Sequence, residues 1–225
     1  MPQTTFLDIK NQNSGILLGA DLLSRLRKDI LTRKYANGYK LTEQHICEEY
    51  GVSRTPVREA FKQLEMEGLI EVFPNRGAFV IGFSEQDIAD MYELRKTYEI
   101  QAVKWAIARI TDEELDALEE TFEFMEFYTQ KNDVEKMLHF NMNFHQLIYI
   151  ASHNRILQNI LSSYQLYIKY ANIGSSFDIE SLPVLLEEHR AIFNAFKNKD
   201  TQAGIEAIEI HMSNAYQRAY KRSCF

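Results

Sequence analysis

Val52-Ser53-Arg54-Thr55-Pro56-Val57-Arg58-Glu59-Ala60 is the stretch whose reading decides the rest of this 225-residue chain. Before it runs Leu41-Thr42-Glu43-Gln44-His45-Ile46-Cys47-Glu48-Glu49-Tyr50-Gly51, and after it Phe61-Lys62-Gln63-Leu64-Glu65. Two short amphipathic helices joined through a glycine make a helix-turn-helix. Thr42 is placed to cap the first helix and Gly51 to end it in the left-handed conformation. Ser53 is expected to cap the second, with Pro56 in its first turn, where a missing N–H costs little. Arg54, Thr55 and Arg58 then sit near the N-terminus of that helix, the end a recognition helix presents to base edges and phosphates. An ordinary helical hairpin with solvated arginines fits the same residues, so the segment from Gly68 to Ile81 has to decide between them.

Gly68-Leu69-Ile70-Glu71-Val72-Phe73 reads as a strand, Pro74-Asn75-Arg76-Gly77 as a turn and Ala78-Phe79-Val80-Ile81 as a return strand. A short hairpin after a helix-turn-helix is the wing of a winged-helix domain. Arg76 and Gly77 fall at its tip, the one supplying charge and the other letting backbone approach a sugar-phosphate chain.

With these motifs in place the chain resembles the GntR-type bacterial transcription regulators. The resemblance is carried by Gly51 to Ala60, by Leu64-Glu65-x-Glu67-Gly68-Leu69 and by Asn75-Arg76-Gly77-Ala78-Phe79-Val80. It covers about the first third of the chain. The family often has an arginine after the glutamate at position 43, where this chain has Gln44, which alters one phosphate or base contact and with it operator preference. The resemblance implies that Gln44, Ser53, Arg54, Thr55, Arg58, Arg76 and Gly77 face double-stranded operator DNA.

Length and composition are consistent with two domains. Hydrophobic residues make up 45%, and only 4 Pro and 9 Gly leave room for long helices. Cys47 and Cys224 lie far apart without metal spacing, the pattern of a reduced, cytoplasmic protein. No apolar run approaches membrane-spanning length and no signal-peptide pattern opens the chain, so no membrane partner is expected. The net charge of −7 is unevenly placed: residues 1–80 carry a net +1 and the remainder a net −8. A reading head so close to neutral has modest non-specific affinity for DNA, which makes a homodimer the expected binding form.

The expected fold is mainly α, a winged helix-turn-helix with a small β wing followed by an all-α antiparallel helical bundle. Residues 1–15 read as a mobile polar arm, 16–82 as the winged domain and 83–225 as a helical ligand-binding and dimerisation domain. A first helix is expected over residues 20–36, stopped by Asn37-Gly38. Beyond Gly82, caps at Ser84, Thr111, Asn132-Asp133, Asn154, Pro183 and Asp200-Thr201 mark six helices, with a loop over residues 172–181.

Within the bundle Asn141 and His145 are four apart and share a helix face, while His189 sits near the start of the fifth bundle helix and His211 in the sixth. Imidazoles from three helices can close on one ion, with Asn141 adding an amide oxygen. Periodicity does not prove convergence, and a histidine on a half-apolar face is most often a hydrogen-bonded core residue. His45, His139 and His153 are read that way. Arg95 and Glu99, also four apart, either pair with each other or leave the guanidinium to grip a ligand carboxylate.

The second domain resembles the FCD domain of the FadR branch of the same family. Arg95-x-x-x-Glu99, Asn141-x-x-Phe144-His145, Asn154, Glu188-His189 and His211 follow its pattern. In many such domains an Asp and three His hold a divalent metal, and here Asn141 occupies the Asp position. A neutral amide binds a dication more weakly than a carboxylate and leaves the site its full +2 charge. The implied cofactor is a divalent metal ion, zinc or nickel, and the implied effector a small organic acid held by Arg95. Together these imply a dimeric, ligand-responsive regulator and not an enzyme, with a repressor as the leading form. Two alternatives stay open: a regulator for which the metal itself is the signal, and a three-His zinc hydrolase with an appended head. The latter lacks a motif supplying a general base.

Overall fold

The computed structural model describes residues 21–74, 76–171 and 177–223, which form two compact units dividing between Glu85 and Gln86. The arm at residues 1–15, Asn75 at the wing, residues 172–176 and Cys224 lie outside the described residues.

The first unit holds α1 (residues 21–31), β1 (Lys40–Leu41), α2 (Glu43–Tyr50), α3 (Arg54–Met66), β2 (Ile70–Phe73) and β3 (Gly77–Val80). The strands form an antiparallel sheet in the order β1-β3-β2, with Phe73 opposite Gly77 and Ile70 opposite Val80. Leu22, Leu26, Ile46, Val57, Leu64 and Leu69 close the core between the helices and this sheet. The Thr42 hydroxyl accepts the His45 N–H at 3.2 Å, and Gly51 ends α2 at φ 67°. Ser53 takes the N-cap backbone conformation of α3, but its side chain makes no capping hydrogen bond. A capping hydroxyl accepts from the second or third residue of the helix, and the third, Pro56, has no N–H to give, which removes one of the two donors.

Three further details differ from the sequence reading. The helix expected to run to residue 36 ends at Leu31, and Arg33 turns into the left-handed region at φ 60°. That turn buries the Tyr35 ring and brings its hydroxyl to the Glu49 carboxylate, a contact that a continuing helix could not make. Strand β1 has no sequence signal, since two residues show no periodicity; pairing with β3 alone defines it. Gly77 opens β3 and is not a turn residue. Its φ of 94° and a Leu41 carbonyl 3.2 Å from where a Cβ would stand give it an intramolecular reason to be glycine.

The second unit contains, among the described residues, α4 (Glu85–Arg109), α5 (Asp112–Gln130), α6 (Val134–Ala151), α7 (Arg155–Ala171), α8 (Leu182–Lys197) and α9 (Thr201–Ser223). Four of the starts carry a side-chain cap. Thr111 and Glu114 form a reciprocal capping box. Asp133, Asn154 and Asp200 accept the N–H of Lys136, Leu157 and Ala203. Pro183 lies in the first turn of α8. The end of the expected 172–181 loop is ordered as a 3-10 turn over Ile179–Ser181, capped by Asp178. Helix α5 packs on α6 and α8, α8 on α9, and α6 on α7. Phe144, Tyr149, Phe196, Leu118 and Met125 are among the side chains that fill the bundle. No helix among the described residues is long and apolar enough to cross a membrane.

Phe196 is fully buried near the end of α8, whereas Ile210 on α9 is 60% exposed. Phe196→Ala should cost about 3–5 kcal/mol and Ile210→Ala less than about 0.5 kcal/mol, read from the urea transition of the bundle.

Candidate functional site

His145 on α6, His189 on α8 and His211 on α9 are buried, and one ring nitrogen from each lies within 4.8 Å of the others. Their outward nitrogens are all engaged. His145 Nδ1 faces Glu99 Oε2 at 3.3 Å, His189 Nδ1 faces the Leu185 carbonyl at 2.8 Å and His211 Nδ1 faces Glu188 Oε2 at 2.8 Å. An acceptor at Nδ1 places the proton there and leaves the Nε2 lone pair for a ligand. His145 Nε2 and His211 Nε2 then stand 3.1 Å apart with lone pairs opposed. That approach is repulsive until a cation lies between them. Nitrogens about 2.0–2.1 Å from one zinc ion would stand roughly 3.0–3.4 Å apart.

Two other acceptors share the problem. His189 Nε2 and Asn141 Oδ1 are buried with no hydrogen-bond partner among the described residues, and Asn141 lines the same cleft as His145 and His211. Buried acceptors are normally satisfied. Three imidazole nitrogens and an amide oxygen without donors form a donor set that fits a borderline divalent ion such as zinc or nickel.

Glu99, wholly buried on α4, sits behind the histidines. It accepts from Arg95 Nε at 3.0 Å, from the Tyr149 hydroxyl and from His145. Burial opposes ionisation, but His145 and Arg95, with the hydrogen bonds, outweigh it and hold the carboxyl at about 2. Glu188 is arranged similarly: burial opposes its charge, while the Arg218 fork at 2.7 and 2.8 Å and His211 hold it at about 2. Burial, then the neighbouring His211 and His145, push His189 well below the usual histidine range. Burial likewise lowers His211 to about 4 against the pull of Glu188. These two rings are therefore neutral near pH 7, the state in which they bind metal.

Arg95 forms the pair with Glu99 that its spacing allows. It also lines two hollows, and its Nη1 makes no hydrogen bond among the described residues. The smaller hollow, about 110 Å³, is bordered by Arg95, Asn141, His145, His211 and Arg218. The larger, about 630 Å³, runs beside α6 and α7. Sequence reasoning misses Tyr149 and Arg218. Tyr149 follows His145 by four residues, a spacing that could have flagged it, but nothing marks Arg218 as the partner of Glu188. His189 lies mid-helix in α8, not near its start. His45, His139 and His153 are not core residues: each is hydrogen-bonded near the surface, to Tyr39, Asn143 and Glu114 respectively.

In the first unit Ser53, Arg54, Thr55 and Arg58 lie exposed at the start of α3. Arg58 Nε donates to Glu43 Oε1 at 2.7 Å, which leaves its two terminal nitrogens for other acceptors. Gln44 donates to Glu48 at 2.9 Å. Arg76 is exposed at the wing with its guanidinium 5.7 Å from the Phe73 ring centre, next to Gly77.

A family model described as "Bacterial regulatory proteins, gntR family" matches residues 18–80, and one described as "FCD domain" matches residues 90–214. The HTH-type transcriptional regulator YdhC of Bacillus subtilis (strain 168) is 30% identical over 85% of this chain and 86% of its own. The galactonate operon transcriptional repressor of Escherichia coli (strain K12) is 28% identical over 86% of this chain and 93% of its own. Among solved structures, E. coli McbR/YncC superposes with a TM-score of 0.72 at 22% identity, covering 92% of this chain and 98% of that one, a likeness of fold.

The buried rings set a pH dependence. Between about 6.5 and 4 the unfolded chain binds protons at His189 and His211 that the fold refuses. Stability is therefore full above that window and falls as pH drops through it. Glu99 and Glu188 extend the loss as pH falls further, from 4.5 towards 2. The urea midpoint of chelator-treated protein should hold between pH 7.5 and 7 and fall from pH 6.5 to pH 5; a flat midpoint would contradict the burial of neutral imidazoles.

Proposed function

The chain belongs to the GntR family of bacterial transcription regulators, with an FCD domain behind its DNA-binding head, and from that premise we propose how its two units work. The protein is a regulator and not an enzyme. It binds a palindromic operator as a homodimer in the cytoplasm and acts as a repressor. Recognition helix α3 enters the major groove with Arg54, Thr55 and Arg58 at base edges. Ser53, Gln44, Arg76 and Gly77 meet the backbone. Holding Arg58 by its Nε, Glu43 aims the remaining fork, the shape that suits two acceptors on a guanine edge.

In the bundle Asn141, His145, His189 and His211 hold one divalent ion, zinc or nickel. The observation that carries this reading is the set of buried acceptors with no donor. A dication there would join three helices and attract an anion. With an amide in place of a carboxylate among its ligands, the centre keeps a full +2, and an uncompensated charge in a buried site is costly. A small carboxylic acid relieves it by bridging the ion and Arg95. A relative named for a galactonate operon, galactonate being a hydroxy acid, supports that effector class. Such binding changes operator affinity by the margin with which the acid prefers one spacing of the two heads. The hydrolase alternative finds no support in the carboxylates hydrogen-bonded to His145 and His211, since Glu99 and Glu188 are each also committed to an arginine.

Arg58→Ala should weaken specific operator binding about 10- to 100-fold and random DNA little. Arg76→Ala should weaken both alike and flatten the salt dependence measured by fluorescence anisotropy. Equal losses on specific and random DNA for Arg58→Ala would reduce Arg58 to a phosphate contact.

Chelation should lower the melting temperature of the wild type, and His189→Ala or His211→Ala should abolish that sensitivity. Asn141→Asp should raise metal affinity by adding a charge. A wild-type melting curve indifferent to chelator, with no metal found by elemental analysis, would return the three histidines to the core.

A further inference from the structure

The small cleft beside the histidines opens onto a second, larger hollow. Arg95, Leu138, Asn141 and Phe177 border both the 110 Å³ cleft and the 630 Å³ groove, so the two adjoin. A carboxylate head at the histidines therefore leaves the rest of its molecule at the groove. The groove's volume lies within the roughly 300–1,000 Å³ of sites that enclose a drug-sized ligand. Its walls are also of a different chemistry. Val134, Leu138, Met142, Ile168 and Phe177 present apolar surface along it. Methylenes or a ring gain from covering that surface, while Glu135, His139, Gln165 and Lys169 leave polar groups along the same groove.

The groove has a second cation. Lys169, in the last turn of α7, borders the groove and not the cleft. It is exposed and makes no ion pair or hydrogen bond among the described residues. Glu135 borders the same groove, and no ion pair joins it to Lys169 among the described residues. Gln165 is held by the Met142 carbonyl at 2.9 Å, which fixes the wall between α6 and α7. We propose that the effector is an amphipathic diacid. One carboxylate meets Arg95 and the histidine centre, an apolar body lies along α6 and α7, and the second carboxylate meets Lys169. This rests on the carboxylate reading above and narrows the class of acid.

Calorimetry on the full chain loaded with zinc tests it, using malate, butanedioate, octanoate and octanedioate as probes. Octanedioate should bind at least tenfold more tightly than malate or butanedioate, with octanoate between them. Lys169→Gln, a change at an exposed position, should reduce octanedioate to the level of octanoate while leaving octanoate and malate unchanged. Glu135→Gln should strengthen octanedioate. If malate binds in an Arg95-dependent way and octanedioate is no tighter, or Lys169→Gln leaves octanedioate untouched, the diacid is overturned and the carboxylate reading stands. If zinc binds but no acid of any length does, both fall together.

Discussion

A fully buried carboxylate is the constraint on which the helical unit depends. Glu99 is fully buried, and removing its charge from solvent is costly unless donors surround it. Arg95 supplies one from the same helix; Tyr149 and His145 supply two from α6. The cost of burial is thus converted into a fixed crossing of α4 and α6 and a fixed tautomer for His145. Removing any of these donors would leave the charge exposed to a low dielectric, which is why the cluster acts as a unit.

The same logic repeats at the other two histidines. Glu188, held by Arg218, orients His211 from α8, and the Leu185 carbonyl orients His189 along its own helix. The Phe144 ring packs edge-on against His189 at 5.2 Å, closing the apolar side. Each ring is turned so that its acceptor nitrogen faces inward, where no protein donor meets it. An arrangement that satisfies every outer nitrogen and leaves the inner ones facing each other is poor as a core and good as a cation site.

The DNA-binding unit is organised by opposite means. The polar side chains at the start of α3 are exposed, and what is fixed is backbone: a threonine cap, a left-handed glycine and a proline in the first turn of α3. Ser53 makes no capping bond and lies exposed. Gly77 answers first to the strand beside it, where the Leu41 carbonyl leaves no room for a side chain.

By itself the sequence determined the local features. The helix-turn-helix, the wing, the order of six bundle helices and the caps at Thr111, Asp133, Asn154 and Asp200 were legible because turn chemistry and helical spacing act over three or four residues. The candidate ligands Asn141, His145, His189 and His211 were legible as residue types and positions, and Arg95 with Glu99 as a pair on one face. The end of α1, the strand β1, the partnership of Glu188 with Arg218 and the place of Tyr149 in the Glu99 cluster were not. Each depends on an element distant in sequence. His145 meets Glu99 across 46 residues and His211 across 66. Periodicity says which side of a helix a residue occupies, but not which other helix that side will face. Only the packing of α4, α6, α8 and α9 around a common core turned four scattered acceptors into one site, because burial of apolar surface, which fixes that packing, carries no direction of its own.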